Sequence, residues 1–123
     1  MGEDEVLASV EFSEAHTGMK STYFKAMDRE AWTHAVVSAA IVLEMDKDVC
    51  RNARIVLGGV APMPWHVPAA ERVLNGQRIT PELAAKAGEA AIAGATPLRK
   101  NAYKVPLTKK VVERTVLTLA TRA

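Results

Sequence analysis

The apolar positions of this chain follow a two-residue rhythm up to residue 59 and a helical rhythm beyond residue 68. Residues 20–27, KSTYFKAM, contain Thr22, Tyr23 and Phe24, residue types that suit a pleated strand. Asp28 follows as a turn residue. Residues 34–45, HAVVSAAIVLEM, are apolar on both alternating sets, as in a strand covered on both faces. A charged DKD tip at 46–48 turns the chain into residues 49–59, VCRNARIVLGG. Strict alternation puts Val49, Ala53, Ile55 and Leu57 on one face and Cys50, Asn52, Arg54 and Val56 on the other, which is partly wet. The tip fits a short hairpin loop although it lacks Asn-Gly. Upstream, EVLASVEF (5–12) alternates weakly and reads as a short extended segment, followed by a loop.

Three helices follow. PAAERVLNG (68–76) has Pro68 near its first turn and Gly76 as its stop. The second spans 79–95, with Thr80 as N-cap, Pro81 at the first helical position and Glu82 at the positive end of the dipole. Leu83, Ala84, Ala87, Ala90 and Ala91 form its thin apolar face, and Gly94 marks its end. Gly88 costs about 1 kcal/mol relative to Ala in a helix, which points to close approach of a neighbour. The third helix covers 101–123, with an apolar stripe of Leu107, Val111, Val112, Val116, Leu119 and Ala120. Asn101 suits its cap, Pro106 either starts or kinks it, and Lys109 and Glu113 stand four apart as an ion-pair candidate.

Strands first and helices second is the order of an α+β domain. The expected architecture is a three-stranded antiparallel sheet followed by a three-helix bundle packed on one face. Residues 1–19 form an extended N-terminal segment and loop, and residues 20–123 form the domain. Because the 34–45 strand is apolar on both sides, its second face calls for a partner domain or a second copy of the chain.

At 123 residues and 13.3 kDa, with 49% hydrophobic and 24% charged residues, the chain has the size and composition of one globular domain. Aromatics are only 5%, so the core is built from Ala, Val, Leu and Ile. A net charge of +2, with basic residues scattered, argues against a nucleic-acid partner. The single Cys50 excludes an internal disulfide and fits a reducing cytosol. No run reaches the roughly 18 apolar residues of a membrane span, and the acidic start is unlike a signal peptide. A cytoplasmic location is expected.

Little of the chain carries recognisable chemistry. His16, His34, His66 and Cys50 lack metal-ligand spacing, so no metal is expected. Ser21 and Ser38 have no nucleophile-elbow context, and Glu71, Glu82 and Glu89 make no carboxylate pair. Cys50 has nothing beside it to activate a thiolate and reads as a packing residue. Gly58 and Gly59, in GGVAPMPWHVP (58–68), suggest a phosphate loop, but the prolines remove the N–H donors such a loop needs. This stretch is a rigid strand-to-helix corner, with Trp65 packed beneath it or lying at an interface.

The segments YFKAMDREAWTHAVVSAAIVLEM, ARIVLGGVAPMPWHVPAAERVLNG, ITPELAAKAGEAA, ATPL and NAYKVPL together resemble one family. It is the C-terminal domain of the FAD-binding (medium) subunit of molybdenum hydroxylases, the xanthine dehydrogenase, aldehyde oxidase and carbon monoxide dehydrogenase enzymes. EVLASVEF is similar to the strand leading out of the preceding flavin domain in such subunits. The resemblance implies a subunit that passes electrons from iron–sulfur clusters to FAD and on to an external acceptor. Its partners would be the flavin-binding domains, the iron–sulfur subunit and the molybdenum subunit. By the same resemblance Lys25 lies near the flavin edge, with Tyr23 as its neighbour, while Tyr103 and Lys104 serve helix-start packing.

The glycine-rich turns that hold the FAD pyrophosphate in the family have no match in this chain. The expectation is an accessory, non-catalytic domain of a flavoprotein oxidoreductase that binds no FAD by itself. The alternative is a free-standing binding or oligomerisation module that keeps the fold without flavin. A small hydrolase or isomerase has no supporting residue pattern.

Overall fold

A computed structural model describes residues 2–11, 19–30 and 33–121. Five strands and three helices follow in the order β1 (Met19–Ala26), β2 (Val37–Asp46), β3 (Val49–Gly58), β4 (Trp65–His66), α1 (Pro68–Leu74), β5 (Gln77–Arg78), α2 (Pro81–Ile92) and α3 (Lys104–Thr121). All pairings are antiparallel, in the order β1-β2-β3-β4, with β5 on the same edge of β3 as a separate short partner. The α+β expectation holds, but the sheet is larger than three strands. β4 and β5 have two residues each, too short for any periodicity to reveal.

The β2–β3 hairpin closes through Lys47 and Asp48, with Asp46 opposite Val49. Lys47 adopts φ 54°, the left-handed conformation that Asn or Gly usually supplies in such a loop. Four residues on, Arg51 is an extra residue: Glu44 faces Asn52 while Met45 faces Cys50. This bulge inverts the alternation. Cys50 is therefore buried beside Ala53, Ile55 and Leu57, and Val49 is exposed, the reverse of what strict alternation assigned to those two residues.

One face of the sheet builds the core. Val37, Ala39, Ile41 and Leu43 of β2 are fully buried there, joined by Ala53, Ile55 and Leu57 of β3. α3 lies against β1 and β2, α1 lies against β3, and α2 rests on the other two helices. On β1, Phe24 carries the Arg114 guanidinium 5.6 Å from its ring centroid, and Lys20 Nζ donates to the Ala120 carbonyl at 3.3 Å. Among the described residues the opposite face has no such cover: Ala40 is exposed and Val42 and Val56 are only half-buried.

The helices obey their punctuation. The Thr80 hydroxyl accepts from Leu83 N–H at 3.2 Å, and Gly76 and Gly94 take φ 74° and 81° beyond α1 and α2. Ala84, Ala87 and Gly88 of α2 are buried, and a Cβ on Gly88 would sit 2.7 Å from the Lys109 carbonyl oxygen of α3. The close approach inferred from Gly88 is thus α2 against α3. Two local expectations need correction. Asn101 precedes α3 by a turn and caps nothing with its side chain; its backbone carbonyl accepts from Lys104 N–H at 3.0 Å. Lys109 pairs with Glu89 of α2 rather than with Glu113, which pairs instead with Lys110. Glu5–Glu11 belong to no strand and are exposed, so the extended reading of 5–12 gains no sheet partner; Phe12 lies outside the described residues.

Candidate functional site

The open face of the sheet is where β1 places both residues singled out from the sequence. Period-two geometry sends Lys20, Thr22, Phe24 and Ala26 toward the core and Ser21, Tyr23 and Lys25 outward. The pairing register extends these positions into rows. Tyr23 lies beside Ala40, then Val56 and His66, and Lys25 lies beside Ser38 and Gly58. Ser21, Val42 and Arg54 make the next row. Tyr23 and Lys25, two residues apart, stand roughly 7 Å from each other along the strand. Tyr23 is 63% exposed and Lys25 is exposed beside it.

Gly58 keeps this shelf flat. Ser38, 4% exposed, turns its Oγ into the space where a Gly58 Cβ would be. Gly59 has φ 75°, and its Cβ position lies 2.7 Å from the Val36 carbonyl oxygen. These glycines allow two strands to close together at the start of the corner, and no phosphate cradle is formed by them.

At the far edge of the shelf lies a constellation that sequence reading missed. Glu71 of α1 is 6% exposed, yet ionisable. Its Oε1 accepts from Ile55 N–H at 2.8 Å and meets His66 Nε2 at 2.7 Å, while Arg54 stands 3.9 Å from Oε2. One turn later Asn75 Oδ1 accepts from Ala53 N–H at 2.8 Å. Four helical residues rise about 6 Å and two strand residues about 7 Å, so Glu71 of α1 and Asn75 at its C-cap reach two successive outward N–H groups of β3, those of Ile55 and Ala53. β4, Glu71, Asn75 and β5 together seal that edge. The signal was present in the 67, 70, 71, 74 spacing, which puts Glu71 on the buried stripe of α1 with Val67, Ala70 and Leu74.

Burial pushes the Cys50 thiol up to about 11, in keeping with a packing residue. Among the described residues no three His, Cys, Asp or Glu side chains converge on a metal position, and no helix is long and apolar enough to cross a membrane. His16 lies outside the described residues. The remaining concavity, about 260 Å³, opens between the 58–68 corner and the α2–α3 connection. Leu57 and Thr108 lie at its base, Trp65 lines its wall, and Lys104 Nζ donates to the Gly59 carbonyl at 2.8 Å across it. Trp65 is 53% exposed and lines this concavity, so it is not buried beneath the corner.

The class the described residues define is an α+β domain, an antiparallel sheet with three helices packed on one face. Residues 22–119 match the CO dehydrogenase flavoprotein C-terminal domain, and the chain belongs to that family. The motif resemblance to the FAD-binding subunits of molybdenum hydroxylases therefore holds. The aldehyde oxidoreductase FAD-binding subunit PaoB of Escherichia coli is 32% identical over 95 residues, 77% of this chain and 27% of that subunit. A carbon monoxide dehydrogenase from Hydrogenophaga pseudoflava superposes with a TM-score of 0.77 at 28% identity, over 85% of this chain and 38% of that one. Quinoline 2-oxidoreductase from Pseudomonas putida gives 0.77 at 28% identity, over 83% and 37%. The chain thus spans between about a quarter and two fifths of the length of these relatives.

Proposed function

We propose that this chain is the accessory C-terminal domain of the FAD-binding subunit of a molybdenum hydroxylase-type oxidoreductase. Its role is to support electron flow from iron–sulfur clusters to FAD, and by itself it is not catalytic. The observation that carries this reading is the family match over 22–119 together with the placement of Tyr23 and Lys25 on the uncovered sheet face. Residues 20–123 form the domain, and the segment before Lys20 is the connection to the flavin-binding domains. The iron–sulfur and molybdenum subunits complete the assembly, in the cytoplasm.

The residues present fit one edge of a flavin and no more. A cation and a phenol on adjacent outward positions suit the polar rim of an isoalloxazine ring, but the shelf has no walls. The corner that contains Gly58 and Gly59 is closed against Val36 and Ser38 and interrupted by Pro62 and Pro64, so it offers no pyrophosphate cradle. When bound by the neighbouring domains, FAD supplies the redox chemistry. Lys25 supplies fixed positive charge that favours the more electron-rich reduced ring, and Tyr23 shields it from water.

The test is to mix the purified chain with FAD, pass it through gel filtration and record absorbance, fluorescence and mass. A colourless peak is expected. Flavin that stays with the protein refutes the non-catalytic reading. The exposed Ala40 with half-buried Val42 and Val56 favours a second reading, a self-associating module without flavin. A colourless dimer would select that reading, and a colourless monomer would select the accessory domain.

A further inference from the structure

We propose that the concavity at the strand-to-helix corner is a docking site for a polypeptide segment that presents an aliphatic or aromatic anchor between carboxylates. This site lies apart from the Tyr23–Lys25 shelf and does not depend on the flavoprotein reading.

The first argument is the distribution of exposed apolar side chains. Of the eleven large ones exposed among the described residues, five sit on the two connections that border this cavity: Val60, Met63, Trp65, Leu98 and Tyr103. Val60 and Trp65 line the cavity itself, Met63, Leu98 and Tyr103 lie on the same two connections outside the lining, and exposed Trp, Tyr and Met are the residue types of protein-binding surfaces. Size selects the occupant. About 260 Å³ is below the range of pockets that enclose cofactors and takes a single large side chain.

Charge selects the flanks. Neither segment that forms the rim, 49–70 or 90–112, contains an Asp or Glu, whereas Arg99 and Lys100 are exposed beside Leu98. An anchor flanked by carboxylates is therefore attracted and one flanked by lysines is repelled.

The surface is also rigid before anything binds. β4 pairs Trp65 with Leu57, prolines at 62, 64 and 68 restrict the corner, and Lys104 ties it to α3. Little conformational entropy is lost on docking, which is what a shallow site needs to hold a short segment.

A displayed random-peptide library, selected on the intact chain with counter-selection on Trp65→Ala, tests the proposal. Recovered peptides should share a Leu, Phe or Trp between Asp or Glu residues. Their affinity, read by fluorescence anisotropy, should fall at least tenfold on Trp65→Ala and severalfold on the double charge reversal R99E/K100E. Circular dichroism establishes that Trp65→Ala is folded. The charge reversal is on exposed residues and gives an independent reading if it is not. No enrichment, a basic or wholly polar consensus, or binding indifferent to R99E/K100E would each overturn the assignment.

Discussion

Replacing Gly88 by Ala sets two effects of opposite sign against each other. Helix propensity alone favours the substitution by about 1 kcal/mol, because Gly in a helix interior has more backbone freedom to lose. Packing opposes it. The added Cβ would meet the Lys109 carbonyl oxygen at 2.7 Å and the Lys109 Cγ at 3.2 Å, and the closer of the two is backbone. Relief requires α2 and α3 to separate, which disturbs buried Ala84, Ala87, Val111, Val112 and Val116. Overpacking of this kind costs roughly 1–3 kcal/mol. Lys109 also holds Glu89 across the same contact, so the helices cannot part freely there. With the cost toward the upper end, Gly88→Ala should destabilise the domain by about 1–2 kcal/mol, lowering Tm by roughly 3–10 °C for a chain of this size. Urea unfolding measures it as a reduced midpoint at constant slope. A midpoint raised above that of the parent chain would refute the close α2–α3 contact.

Other substitutions read other links. Glu71→Ala leaves Ile55 N–H without its charged acceptor and should cost about 2–3 kcal/mol, with Glu71→Gln recovering part of that in urea unfolding. Lys47→Gly relieves a left-handed backbone position and should stabilise the hairpin by up to about 1 kcal/mol, seen as a higher midpoint. The raised Cys50 thiol favours the folded state while it is neutral, so its contribution is intact below the ordinary value near 9.0 and is lost as pH rises toward about 11. Cys50→Ala should flatten the pH dependence of stability in that window, and native Cys50 should react with a disulfide reagent at least ~100-fold more slowly than in urea. In a fusion with its flavin-binding domains, Lys25→Met should lower the flavin midpoint potential by roughly 20–40 mV, the equivalent of about 1–2 kcal/mol of lost charge stabilisation.

The long elements were legible because their periodicity is continuous over many residues. β2 was legible as a strand but not in which of its two apolar sets is buried, and Thr80, Pro81 and Gly94 marked α2 to within two residues. The side of Cys50 was not legible, since one bulged residue at Arg51 reverses the assignments of Val49 and Cys50 before it and nothing in composition marks the bulge. β4 and β5 exist only because β3 offers them backbone partners, which is tertiary information. Period two placed Tyr23 and Lys25 on one face, but only family likeness gave that face a meaning. Glu71 was overlooked because a charged residue on a short helix reads as solvated, whereas here a strand N–H and His66 compensate its burial.

The seal on β3 makes the sheet directional. With β4, β5, Glu71 of α1 and Asn75 just beyond it engaging that side of β3, the edge open to strand addition among the described residues is the outer edge of β1. A sheet that can be extended at one end only cannot polymerise by joining sealed edge to sealed edge. Inserting or deleting one residue between Glu71 and Asn75 would misalign the two acceptors and reopen the other end. The four-residue spacing from Glu71 to Asn75 thus occupies a strand edge as well as contributing to stability.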